Sequence, residues 1–86
     1  MREKALRMLR HMRMQIRMQI LVQGTRAASV WGAARSIGLN PEEDEFDVLL
    51  KELLQGGCIG PYPSPSLAAH GLYRLTDWGI SAADEG

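Results

Sequence analysis

NPEEDEFDVLLKELLQGG, residues 40–57, is the stretch on which the reading of this chain turns. Asn40 is a preferred N-cap and Pro41 suits the first helical position. Glu43 stands where its side chain can reach back to the cap's own N–H. Phe46, Leu49, Leu50, Leu53 and Leu54 follow the i, i+3, i+4, i+7, i+8 spacing of one buried helical face. Gly56-Gly57 supply the stop, because glycine takes the left-handed cap conformation at least cost. A helix is therefore expected over 41–55. Its other face carries Asp44, Glu45, Val48 and Glu52, with Lys51 as the only base.

Upstream, residues 2–23 read as one long helix. At 100° per residue Ala5, Met8, Leu9, Met12, Ile16 and Ile20 share a face, while Arg10, Arg13 and Arg17 line its flank. The tandem Arg13-Met14-Gln15-Ile16 and Arg17-Met18-Gln19-Ile20 stacks like residues at i and i+4. Residues 12–20 also alternate apolar and polar, a strand signal. Helix is favoured because Arg, Met, Gln and Leu are good helix formers and no turn residue interrupts the run. Met14 and Met18 lie off the main stripe, so they fit either a dimer seam or a contact with the C-terminal residues. Gly24 and Thr25 break the helix, Arg26 to Ala28 read as a short extended piece, and Ser29 is a candidate N-cap. A second helix is expected over 29–38, with Val30, Ala33, Ala34 and Ile37 inward and Gly38 as its stop. Trp31 is read as a core residue. Only Gly38 to Asn40 then separate this helix from the next, a link short enough for a helix-turn-helix.

Downstream, Cys58-Ile59-Gly60 is a short apolar piece and Pro61 to Ser66 a proline-punctuated loop. Leu67 to His70 fits no one pattern. Leu72 and Arg74 alternate with Tyr73 and Leu75, as in a strand. A hairpin is expected over 57–75, then a turn over 76–82 that Thr76 caps, with the end from Ser81 frayed.

The 86 residues, 45% of them hydrophobic, suit one globular domain spanning 1–86. A domain of this size buries only about 60% of its unfolded surface, so dimerisation would help it. The longest aliphatic run, Ile20-Leu21-Val22, is too short for a membrane span, and residues 1–20 lack the apolar stretch of a secretory signal. One cysteine, Cys58, fits a reducing compartment, so the expected location is the cytoplasm. The formal charge of zero hides an asymmetry. Residues 1–35 hold eight basic side chains against Glu3, a net of +7; residues 36–86 hold Lys51 and Arg74 against nine acids, a net of −7. Such a split marks an interacting surface.

Three motifs carry a resemblance. Ala34-Arg35-Ser36-Ile37-Gly38-Leu39 looks like the alanine-then-isoleucine-glycine stretch that closes the second helix of winged helix-turn-helix domains. Leu53 to Ile59 resembles the end of their third helix running into the first wing strand. Tyr73-Arg74-Leu75-Thr76-Asp77-Trp78-Gly79 is similar to the tyrosine-x-leucine-threonine-x-x-glycine pattern that closes the wing in small bacterial and archaeal transcriptional regulators. The resemblance spans residues 5–82. It implies a mainly α, α+β fold with a three-helix core and a C-terminal β-hairpin wing. It also implies DNA binding, often as a dimer, with the third helix in the major groove. Carried onto this chain, the reading positions would be Glu42, Glu43, Asp44, Glu45, Asp47 and Val48. Five carboxylates there face a dense field of phosphates, and residues 61–72 offer no Lys or Arg in compensation.

The expected function is therefore a non-enzymatic DNA-binding regulator that uses another face: Arg7, Arg10, Arg13 and Arg17 on the first helix with Arg26 and Arg35 near the second. The alternative is a protein-interaction or dimerisation module without nucleic acid, using Met14, Met18, Asp44, Glu45, Val48 and Glu52. In that case the acidic helix would meet a basic partner such as a second copy. A third reading takes residues 1–23 as a membrane-surface or transit segment, at the expense of the domain's longest helix. No catalytic, metal or cofactor constellation is expected. His11, His70 and Cys58 are scattered, Ser64 and Ser66 read as turn residues, and no glycine-rich phosphate loop or other small-molecule signature is present. Gly57-Cys58-Ile59-Gly60 has the spacing of an RNA-binding glycine-x-x-glycine loop, with apolar residues where basic ones belong.

Overall fold

The computed structural model describes residues 2–18, 26–61, 66 and 69–85, which contain both helices and strands. The order is α1 (Glu3–Arg17), β1 (Ala27–Ser29), α2 (Val30–Ser36), α3 (Asp44–Gln55), β2 (Ile59–Pro61), β3 (Leu72–Leu75) and α4 (Asp77–Asp84). The three strands form one antiparallel sheet in the order β1-β3-β2. The radius of gyration, 11.5 Å, matches the value of about 12 Å for a compact chain of this length. The result is an α+β domain with four helices among the described residues, one more than the three-helix core expected.

The α1 stripe forms the middle of the core. Ala5, Met8, Leu9 and Met12 are fully buried and Ile16 packs at the edge. Ile20, the rest of the helix expected to residue 23 and the break at Gly24-Thr25 lie outside the described residues. Fully buried Ala33 and Ala34 line the inner side of α2 in this core, where their small side chains let α1 and α2 approach closely. From α3 come Phe46, Leu49 and Leu53, flanked by half-buried Leu50 and Leu54. Ile59 and Leu75, paired across β2 and β3, close the core on the sheet side.

Ser29 ends β1 and caps α2, its Oγ accepting from the Gly32 N–H at 3.0 Å. Gly57 stops α3 with φ 74°: its N–H donates to Leu54 O, and the Cys58 N–H reaches back to Leu53 O. This double-bonded stop needs a left-handed residue at its centre. Gly38 closes α2 through the same pair of bonds.

Three local expectations are corrected. The start expected at Pro41 moves to Asp44: Asn40 Oδ1 accepts from the Glu42 N–H at 3.0 Å and Asn40 O from Glu43, so 40–43 form an Asx-type turn. Glu43, the actual N-cap, is extended at ψ 149° and makes no side-chain capping bond. The turn expected over 76–82 is a two-turn helix reaching Asp84, because Ala83 is buried and Arg13 Nε meets Asp84 Oδ1 at 3.2 Å where fraying was expected. Trp31 is 37% exposed and outside the core; its ring lies over Gly71, where a Cβ would sit 2.6 Å from it.

The junction of sheet and α4 has its own logic. Thr76 Oγ1 accepts from the Gly79 N–H at 3.0 Å, while its hydroxyl faces the Gly57 and Cys58 carbonyls at 2.5 and 2.9 Å. A Cβ on Gly79 would lie 2.0 Å from Cys58 O, so only glycine lets α4 sit this close. Pro61 ends β2, an edge strand, where a missing N–H is tolerated. The expected loop tip at 62–65 falls outside the described residues, as do Leu67 and Ala68.

Candidate functional site

On α1, the residues opposite the buried stripe form a ridge of arginine and methionine. Arg7, Arg10 and Arg17 are exposed, with Met14 and Met18 interleaved at 54% and 65% exposure. The helical repeat dictates this: Arg7, Arg10, Met14 and Arg17 are spaced i, i+3, i+7, i+10, so all four project from one side. From Arg7 to Arg17 the ridge runs about 15 Å along the helix.

Two shallow grooves flank it. One, about 440 Å³, lies between α1 and the end of α4 and is lined by Arg10, Arg13, Met14, Arg17, Met18, Ala83 and Asp84. The other, about 280 Å³, runs between α1 and the end of α2, past Arg7, His11, Ser36 and Ile37. Arg10 and Met14 border both, so the surface is continuous across the ridge. Met14 and Met18 line the first groove together with Ala83 and Asp84, and both stay more than half exposed.

The six arginines do not converge. Arg13 is partly covered and held by Asp84. Arg26 sits before β1 and pairs with Asp77 at the start of α4. Arg35, exposed in the last turn of α2, borders a separate hollow with Asn40, Pro41 and Glu42. Among the described residues Arg7, Arg10, Arg17 and Arg35 make no ion pair.

On α3 the acids divide likewise. Lys4 Nζ meets Glu45 Oε1 at 2.9 Å. Arg2 approaches Glu52 Oε2 at 3.5 Å and donates its backbone N–H to Glu52 Oε1 at 2.8 Å. Glu45 and Glu52 therefore fasten α3 to the start of α1. Glu42, Glu43, Asp44 and Asp47 are exposed and unpaired among the described residues, and Val48 is exposed beside them.

Two residues that sequence reasoning passed over matter here. Gln15 is buried and its amide faces β1 squarely: Oε1 accepts from the Ser29 N–H at 2.9 Å and Nε2 donates to Ser29 O at 3.0 Å. Nε2 also lies 3.3 Å from His11 Nδ1, which accepts if the imidazole proton is on Nε2. Among the described residues β1 is an edge strand, and Gln15 satisfies the outward backbone groups of Ser29 there. Its angular position at the margin of the apolar stripe was the available signal. Trp78, 68% exposed, stands beside a small recess of about 250 Å³ with Glu52, Gly56 and Cys58; its sequence context gave no warning.

Among the described residues no three metal-capable side chains gather. Cys58 is buried and free, and burial raises its thiol pKa, which opposes a reactive thiolate. No described helix is long and apolar enough to cross a membrane. Compared with protein-family models, curated proteins and solved structures, the chain gives no match in any of the three.

Proposed function

We propose that this chain is a winged helix-turn-helix module that binds nucleic acid through the outer face of α1, in a regulatory role in the cytoplasm. The element order supports the fold reading: helix, strand, two helices joined by a glycine-containing turn, and a hairpin whose second strand pairs with β1. The observation that carries the function is the ridge itself, where three exposed guanidiniums, Arg7, Arg10 and Arg17, make no ion pair among the described residues. Each can displace a condensed cation from a phosphate, so the affinity is nonspecific and falls steeply with salt. The α3 face usual for such folds is turned away from DNA by Glu42, Glu43, Asp44 and Asp47. A second reading, a protein-interaction module without nucleic acid, draws on Met14 and Met18, whose exposed thioethers suit an adaptable apolar contact.

Titration of duplex DNA at low ionic strength tests the first reading. Wild type binds with log K falling against log salt at a slope of about −2.7, the value for three phosphates. Arg7→Ala/Arg10→Ala/Arg17→Ala loses this binding while keeping its circular dichroism. Folded wild type without affinity for duplex in low salt sinks the nucleic-acid reading.

A further inference from the structure

The α1 ridge has its complement on the same chain, yet the two do not meet within one molecule. Contacts between the start of α1 and α3 are taken by Arg2 with Glu52 and Lys4 with Glu45. This leaves Arg7, Arg10 and Arg17 on one helix, and Glu42, Glu43, Asp44 and Asp47 at the start of another, exposed and unpaired among the described residues. Each charged set has exposed apolar side chains within it. Met14 lies between Arg10 and Arg17 and Met18 just beyond Arg17, and Val48 sits one turn beyond Asp44 on the same side of α3. We propose that the α1 ridge of one copy docks on the acidic start of α3 in a second copy, in competition with nucleic acid for the same arginines.

Charge complementarity selects the occupant. Among the described residues the ridge presents three unpaired arginines and the start of α3 four unpaired carboxylates, so a second copy offers the ridge a surface of opposite sign. Association between two different faces is head to tail, so it grows with concentration unless a ring closes. Flexible methionines can settle around Val48 and supply the dry centre that exposed ion pairs lack. The rim pairs steer and orient the copies, which makes the contact sensitive to screening. The inference shares the ridge with the nucleic-acid reading but stands without it.

Charge-swapped chains test it by sedimentation equilibrium. At about 0.01 M salt, where the Debye length is about 30 Å, wild type shows an average mass that rises with concentration. At about 1 M salt, where that length is about 3 Å, the association weakens at least about tenfold. Arg7→Glu/Arg10→Glu/Arg17→Glu stays monomeric, as does Asp44→Lys/Asp47→Lys. An equimolar mixture of the two associates again, since each now offers what the other lacks. If the arginine reversal does not fold, Arg7→Gln/Arg10→Gln/Arg17→Gln replaces it and is monomeric too. A monomeric wild type in low salt overturns the proposal, as does a swapped mixture that stays monomeric. Duplex binding separates the two readings: Asp44→Lys/Asp47→Lys loses self-association and keeps DNA. A wild type that associates without binding duplex supports self-docking and removes the nucleic-acid reading; one that binds duplex but never associates does the opposite.

Discussion

Gln15 illustrates what one side chain contributes when both ends of its amide are used. It holds the N–H and C=O of Ser29, the residue that ends β1 and caps α2, so it ties α1 to a strand and to a second helix at one point. Gln15→Leu keeps most of the volume but strands two backbone groups, and is expected to destabilise by about 2 kcal/mol. A lowered urea midpoint with unchanged m-value is the readout. Cys58 gives the matching prediction for acid–base behaviour. Burial raises its thiol pKa above the ordinary 9.0, so the folded chain holds this proton more tightly than the unfolded one. Its contribution to stability is complete below pH 9 and is lost as pH climbs from there through the folded pKa. Urea midpoints measured on either side of pH 9 should fall on the alkaline side, and less so in Cys58→Ala. The thiol should also react slowly with disulfide reagents at neutral pH until urea is added.

The helix starts separate good local signals from sufficient ones. Ser29 and Thr76 both cap with their hydroxyls, accepting from Gly32 and Gly79 at 3.0 Å. Asn40, a better cap by type, spends its side chain on the Glu42 N–H instead, because Pro41 completes a tight turn before the helix begins. The helix then starts behind Glu43, whose side chain makes no capping bond. Glu43→Asp keeps the charge favourable at a helix N-terminus and brings the carboxylate within reach of the first-turn N–H groups. A gain of about 0.5–1 kcal/mol is expected. For a domain of this size that raises the thermal midpoint by several degrees, about 2–8 °C. An unchanged midpoint would mean that the 40–43 turn already satisfies those donors. The third helix was legible between Phe46 and Gly57 and misread before it, since a turn and a first helical turn use the same residues.

For the whole molecule, charge acts in two separable ways. Within the chain, Arg2–Glu52 and Lys4–Glu45 are surface pairs, each contributing about 0.2–1 kcal/mol. The core of α1, α2, α3 and the sheet does most of the stabilising. Raising salt from about 0.01 M to about 1 M should therefore move the urea midpoint of the arginine-to-glutamine variant little, while removing wild-type binding to duplex. A large loss of stability in that variant over the same range would place the surface pairs at the centre of the fold instead.

The sequence by itself determined most of the elements and the helical part of the core, while the parts supplied by the strands, Leu39 and Ala83 were not marked in it. Periodicity is a local property, and the stripes of α1 and α3, the small face of α2 and the glycine stops depend on neighbours within a few positions. The charge split was equally plain. Only the tertiary structure decided which charges are free. Arg13, Arg26, Glu45 and Glu52 look the same in sequence as Arg7, Arg10, Asp44 and Asp47, but the first four are paired with residues 41 to 71 positions away in the chain, Arg13 with Asp84 being the most distant. The same holds for Trp31, which found a glycine backbone to lie on rather than the core, and for Gln15, whose partner is a strand edge. Pairing is settled by where the chain returns, and no local pattern encodes that.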